Sequence, residues 1–229
     1  MSEQPSPSAG PPRKLVVAID GPAASGKGTI ARRLAARFGL AHLDTGLLYR
    51  AVAAKLIDQG GDPSDADAAT RAAQGLSQAD LHHSELRTSA MSSGASRVAA
   101  IPGVRAALLA YQRWFMANPL GGARGSVLDG RDIGTVICPD AEVKLFITAS
   151  PEERARRRTA ELARSGSEAS YEAVLADVLE RDRRDRERAD APLRRADDAH
   201  LLDTTDLDID RAVAEAAIIV TERIGDPAR

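Results

Sequence analysis

Gly21 and Gly26 enclose the four small residues Pro22-Ala23-Ala24-Ser25, and Lys27 follows at once. Two glycines at this spacing let the chain turn so tightly that successive backbone N–H groups point inward, which suits anionic oxygens. The ammonium of Lys27 adds a movable positive charge that reaches β- and γ-phosphates. The pattern is Gly-x-x-x-x-Gly-Lys with one departure: Gly28 stands where a hydroxyl residue is usual, and Thr29 comes one place later. Lysine is scarce, at positions Lys14, Lys27, Lys55 and Lys144 alone, so its presence in this loop is selective. Gly21, Pro22, Ala23, Ala24, Ser25, Gly26, Lys27, Gly28 and Thr29 are therefore the expected nucleotide-phosphate site.

Two further polar segments have the composition of ligand-binding turns. Asp44-Thr45-Gly46 follows Ala41-His42-Leu43, and Asp129-Gly130-Arg131-Asp132 follows Ser126-Val127-Leu128. Farther along, Arg181, Arg184, Asp185 and Arg188 are three and four apart, a spacing that puts them on one helix face. Guanidinium forks suit phosphate, and a carboxylate between them suits a sugar hydroxyl. The same run, Glu180 to Arg188, also reads as a solvated helix laced with ion pairs. A second cluster, Arg154, Arg156, Arg157 and Arg158, offers cations for the charge that spreads over a moving phosphoryl group, if a lid carries it inward. The four histidines, His42, His82, His83 and His200, lack the spacing of a metal site or a catalytic triad.

These residues need a scaffold, and the hydrophobic pattern supplies one. Leu15 to Ile19 is a β-branched run, and Ile30, Leu34 and Phe38 repeat at helical spacing after the glycine loop. Val143 to Thr148 is apolar on both faces except for Lys144, as in a buried parallel strand. Pro151 opens a helix, Ser165-Gly166-Ser167 breaks it, and another helix spans about Ser170 to Arg188. A last strand, His200 to Leu202, precedes a last helix, Ile209 to Arg223. Strands alternating with helices predict a parallel sheet wrapped by helices, whose ligands bind at the carboxyl ends of the strands. The span Ser64 to Leu120 carries no clear strand and is expected to be a helical insert, with loops near Gly94 and Pro102-Gly103 and a closing turn at Asn118-Pro119-Leu120-Gly121-Gly122.

The 229 residues suffice for one core with inserted pieces. Residues 1–13 are polar and Pro-rich, the composition of a disordered tail, and 14–229 is expected to form a single domain. Within it the core is 14–58, 123–150 and 189–229, the insert about 59–122, and the lid with its connecting helix about 151–188. A formal net charge of −2 and 3% aromatic residues argue against a general nucleic-acid or membrane-surface binder. Cys138 is the one cysteine, so an internal disulfide is excluded. Without a hydrophobic leader or long apolar span, a cytoplasmic protein is expected; separately, its expected partners are small molecules and its expected state is a monomer. A guanine-reading switch protein would need Asn-Lys-x-Asp, and none of the four lysines has that setting.

Four segments together resemble the bacterial cytidylate kinase family: Ile19-Asp20-Gly21-Pro22 with Ser25-Gly26-Lys27-Gly28-Thr29, Leu43-Asp44-Thr45-Gly46 with Tyr49-Arg50, Asp129 to Val136, and Arg181 to Arg186 leading to Ala191-Pro192-Leu193. The displaced threonine after Lys-Gly is the form used by nucleoside monophosphate kinases. The resemblance implies a three-layer α/β/α P-loop kinase fold on a five-stranded parallel sheet, with a helical monophosphate-binding insert and a small lid. It implies phosphoryl transfer from ATP to CMP and dCMP. The same fold also serves other small acceptors, such as UMP or shikimate. Carried over, Arg50, Arg131 and Arg181 would meet the monophosphate, and Thr45, Arg181 and Asp185 the pentose. Ser96, Arg105, Asp132 and Arg188 would surround the cytosine. Lys27, Arg131, Arg154, Arg157 and Arg158 would act on the transferring group, with Mg²⁺ near Thr29 and Asp129, held through water. Where this family has a longer, strand-rich piece before Glu85-Leu86-Arg87-Thr88, this chain has only Leu81-His82-His83.

Overall fold

A computed structural model describes residues 15–77, 79–83, 85–86, 88–164, 166 and 168–224. The polar N-terminal tail, Arg87 and the serines flanking Gly166 lie outside the described residues. Five strands, β1 (Leu15–Asp20), β2 (Ala41–Asp44), β3 (Gly125–Gly130), β4 (Val143–Thr148) and β5 (His200–Asp203), pair in the order β2-β3-β1-β4-β5. All neighbouring pairs are parallel. The expected sheet is present, and β1 and β3 run farther than the apolar pattern suggested: Asp20 and Asp129-Gly130 are still strand residues.

Alternation along β1 divides the core. Val17 and Ile19 pack with Ile30, Leu34 and Phe38 of α1 (Lys27–Phe38) and Ala216 and Val220 of α8 (Ile209–Ile224). Val16 and Ala18 face the other way, toward Leu43, Leu128, Ile133 and Phe115. The two layers of helices thus follow from the period of two in a strand. Phe115 belongs to α5 (Pro102–Ala117).

Helices α2 (Thr45–Asp58), α3 (Ala66–Gln74), α4 (Ser89–Val98) and α5 share a satellite core of Leu48, Val52, Leu56, Ala69, Val98, Val104 and Leu108. Two expectations fail here. Gly94 lies inside α4, because a Cβ at that position would stand 2.9 Å from the Cβ of Ala53 on α2; the glycine lets two helices approach. Pro102-Gly103 opens α5 rather than forming a loop, as proline is well suited to a first helical position. A short 3₁₀ turn, Ala79–His82, occupies the stretch around Leu81. The closing turn at Leu120–Gly122 is as expected, with Gly121 and Gly122 at positive φ.

A third cluster, Ala155, Leu162, Val174 and Val178, joins α6 (Pro151–Arg164) to α7 (Tyr171–Glu187) as a helical hairpin. Among the described residues no helix is long and apolar enough to cross a membrane.

Gly21 marks the point where β1 becomes the loop. A Cβ there would lie 2.0 Å from the carbonyl oxygen of Ile147 on β4, and its φ is 153°. Gly21→Ala must therefore push two central strands apart. Expected is a loss of at least about 4 kcal/mol, in the range of exceptional single substitutions, read as a collapse of the thermal unfolding midpoint by circular dichroism. A midpoint within a few degrees of wild type would contradict this close approach.

Candidate active site

The carboxyl ends of β1, β2 and β3 meet in a cleft, and each expected polar segment stands there. The floor is the glycine loop. Its helix α1 begins after Gly26 in the left-handed region, with no side chain capping the first turn. The first N–H groups of that turn are thus left for an anion. Ala24 also holds a positive φ of 59°, strain of the sort found where a loop is shaped around a ligand. Lys27 donates from Nζ to the carbonyl of Pro22 at 3.1 Å. Burial, reinforced by the nearby Arg131 charge, pulls its ammonium down to about 7. A cation so destabilised favours the arrival of negative charge.

Thr45, Arg50, Ser96, Arg105, Arg131, Asp132, Arg181, Asp185 and Arg188, drawn from five separate elements or turns, all line this cleft. At its centre Arg131 donates through Nε to Asp185 at 2.7 Å. Burial would raise the Asp185 carboxyl, but Arg131 beside it holds it below the usual range. Arg181 is pulled down to about 10 by burial and by the charge of Arg131, with Arg50 adding to the repulsion. Its Nε is buried without a hydrogen-bond partner among the described residues. Three guanidinium groups crowd one place, and a phosphate would relieve them.

Deeper in, Asp132 takes a bond from Nη2 of Arg105 at 2.6 Å, and Nη2 of Arg188 lies 3.5 Å from its other oxygen. Arg105 also reaches Asp190 at 2.9 Å and the hydroxyl of Tyr49 at 3.4 Å. Ser96 Oγ lines the same cleft, buried and with no hydrogen-bond partner among the described residues. The result is a polar pocket holding a carboxylate, two guanidinium groups and a hydroxyl. Thr45 points its hydroxyl elsewhere, donating to the carbonyl of Asp129 at 2.9 Å.

A second cleft opens on the far side of the loop, against Arg157, Thr204, Leu207 and Ile209. Ala24, Gly26, Thr29 and Arg158 border both clefts. Arg157 donates to Glu153 at 3.0 Å and to Thr204 at 3.0 Å, and Arg158 donates to Glu161 at 2.8 Å. Arg154 occupies a different place from its neighbours. It lies outside both clefts, 1% exposed, with its fork bonded to Asp182 at 2.9 and 2.5 Å. The helix turns it inward, so its guanidinium has no free edge for a moving phosphoryl.

The charge run on α7 turns out to have two faces. Glu180, Arg183 and Glu187 form exposed pairs, while Arg181, Asp182 and Asp185 face the cleft and the core. Several site residues lay outside the sequence argument. Thr204 is buried just past β5, within 3.1 Å of the carbonyl of Ser25. It sits at the same sheet edge as the other clusters, so the strand-end rule applied to β5 would have found it. His42 Nε2 stands 2.7 Å from Oδ1 of Asp129, and Asp20 is buried beneath the Asp132 turn.

Two clefts that share a glycine loop and an uncapped helix start, on a five-stranded parallel sheet, define a P-loop kinase. The comparisons with known proteins narrow the class. The family model described as Cytidylate kinase matches residues 17–222. A protein named Cytidylate kinase from Cereibacter sphaeroides (strain ATCC 17023) is 63% identical over 203 residues, covering 89% of this chain and 93% of the relative. One of the same name from Paramagnetospirillum magneticum is 60% identical over 205 residues, covering 90% and 97%. A crystal structure of an uncharacterized protein from Eubacterium ventriosum matches in fold, with a TM-score of 0.54, 15% identity, and coverage of 92% of this chain and 100% of that one. The chain belongs to the cytidylate kinase family.

Proposed function

We infer that this chain phosphorylates CMP and dCMP with ATP, releasing ADP and CDP or dCDP, and that the two clefts divide the work. The donor's nucleoside lies in the cleft beside Arg157 and Leu207, with its phosphates along Gly21 to Thr29. The acceptor lies in the cleft of Arg131 and Asp132. An oxygen of the CMP phosphate attacks the terminal phosphorus of ATP as the bond to ADP breaks, in line and without a covalent enzyme intermediate. Lys27, Arg131 and Arg158 surround the midpoint of that line, and positioned cations are the main requirement of such a transfer. Arg157, bonded to Thr204, holds the donor side of the lid against β5.

Mg²⁺, were it bound with the nucleotide, would supply charge neutralisation, and Asp129 and Thr29 would be the residues to hold it, through water. Oδ1 of Asp129 is taken by His42, whereas Oδ2 faces the backbone of Gly28, where a Cβ would lie 3.5 Å away. One hard oxygen at the loop, with the Thr29 hydroxyl lining the same cleft and accepting from Arg32 at 3.2 Å, fits an ion that keeps several waters.

The observation that carries the choice of acceptor is the buried Asp132 with Arg105 and Arg188. Cytosine offers an amine at N4 and acceptors at N3 and O2. Asp132 accepts from the amine, and the two arginines with Ser96 donate to the acceptors. Uracil puts a carbonyl where the amine was, facing the carboxylate. Such a mismatch is worth about 1–3 kcal/mol, or roughly 5- to 150-fold in kcat/KM. Asp132→Asn keeps the shape but offers a donor to the uracil carbonyl, so the CMP-to-UMP ratio of kcat/KM falls by about that factor. An unchanged ratio would remove Asp132 from base recognition. A panel that also includes shikimate tests the other acceptors directly.

A further inference from the structure

The turn that carries Asp132 is capped from an unusual direction. Ile133–Ile137 forms one π-helical turn, and Asp132 occupies its N-cap position. An aspartate there ordinarily bends back to accept N–H groups from its own first turn. Asp132 does not: its side chain makes no capping bond and is instead engaged with Arg105. The N–H groups of Ile133 and Gly134 go to Asp20 at the end of β1, one to each carboxylate oxygen, at 2.7 and 2.8 Å. Asp20 is 5% exposed and more than a hundred residues away in the chain. Burial pushes its carboxyl up to about 6, so the fold tolerates a costly carboxylate to make these two bonds.

We propose that Asp20 is a positioning residue for acceptor recognition: by capping the Ile133–Ile137 turn from β1, it releases the Asp132 side chain to face the acceptor base. The same residue immediately precedes Gly21, so one carboxylate fixes the base-reading turn against the start of the phosphate loop. The turn has little slack. A Cβ on Gly134 would lie 3.1 Å from Cδ of Lys144 and 3.4 Å from Oδ2 of Asp20. A Cβ on Gly130 would lie 2.8 Å from Cδ1 of Ile133. With Asp20 removed, the two N–H groups are left inside the protein, and Asp132, as the N-cap residue of that turn, carries an acceptor of the kind that ordinarily bends back onto them.

Asp20→Asn is the sharpest variant. A carboxamide has one acceptor oxygen, so its NH₂ would confront one of the two N–H groups. Expected is a rise of about tenfold in KM for CMP and a fall of about tenfold in the CMP-to-UMP ratio of kcat/KM, the size of a lost buried hydrogen-bond match. KM for ATP stays within about threefold. A merely structural role would lower the unfolding midpoint without separating the two substrates. Asp20→Ala tests the same contact by removing both acceptor oxygens, which leaves the N–H groups of Ile133 and Gly134 unmet; it shifts the CMP parameters in the same direction. The inference is overturned if either folded variant keeps its KM for CMP and its CMP-to-UMP ratio within twofold of wild type, or if the KM values for ATP and CMP rise together. It rests on Asp132 reading the base. An unchanged ratio in Asp132→Asn would defeat that reading, whereas a changed ratio there with an unchanged one in Asp20→Asn would defeat only the capping role.

Discussion

Lys27→Ala is expected to lower kcat by two to three orders of magnitude, about 3–4 kcal/mol of barrier, while the dissociation constant for CMP stays within about threefold. The argument is spatial. Lys27 sits in the glycine loop, bonded to Pro22, and the acceptor's proposed contacts are Arg131, Arg181, Asp185 and the Asp132 pocket across the cleft. A second readout comes from its ionisation. Burial holds the Lys27 ammonium near 7, against an ordinary value of 10.5. At pH 8 the free protein therefore carries this group largely neutral. Phosphates placed against it favour the charged form and raise its pKa, so ATP binding takes up a proton. Titration calorimetry in buffers of different ionisation enthalpy measures that uptake, and Lys27→Ala is the blank that removes the nucleotide's own contribution. An uptake in wild type that exceeds the variant's by about one proton is the expected result. Equal uptake in both, or a parallel loss of CMP affinity, would put Lys27 outside the donor site.

The sign of the linkage also bears on stability without ligand. Between about 7 and 10.5 the unfolded chain binds a proton at Lys27 that the folded chain does not. This group's contribution therefore makes the free protein more stable as pH rises through that interval, and the ATP-bound form lacks the trend.

What the sequence made legible was local. The strand, loop and helix around Lys27 are neighbours in the chain, and so are the polar turns that end β2 and β3. The one-face spacing of Arg181, Asp185 and Arg188 was readable for the same reason, since a helix converts intervals of three and four into adjacency; Arg184, read with them, does not line the cleft and pairs with Glu180 at 3.4 Å. What escaped was set by distant partners. Gly94 is helical because of Ala53 on another helix, and no pattern around residue 94 announces it. Asp20 was read only as part of the segment that resembles the family's phosphate loop; its bonds run to residues 133 and 134. The family resemblance brought Ser96 and Arg105 into the base pocket, where side chains of α4 and α5 do line the cleft. It did not distinguish Arg154 from Arg157 and Arg158, because three arginines within one helical turn and a half look alike until the core claims one of them.

That distinction yields the other large effect. Arg154 is a fully buried arginine tying three elements together. Its Nε donates to the carbonyl of Ala149 at 2.9 Å after β4, Nη1 to the carbonyl of Ala23 in the phosphate loop at 3.2 Å, and the fork to Asp182 on α7. Asp182 is itself 4% exposed. Removing one partner of such a pair strands the other charge in the interior, at about 3–5 kcal/mol. Asp182→Ala is thus expected to lower the unfolding midpoint by roughly 6–20 °C for a chain of this size. Arg158→Ala provides the contrast: Arg158 borders both clefts and pairs with a largely exposed Glu161, so its loss lowers kcat and leaves the midpoint within a few degrees. Replacing Arg154 and Asp182 together, by Met and Leu, restores most of the stability, because no buried charge is then left alone. Activity stays low in that double variant, since the link from α7 to the carbonyl of Ala23 is gone and Arg181 and Asp185 share that helix. If instead Asp182→Ala melts like wild type, or the double variant regains full kcat, Arg154 does not anchor the loop to α7.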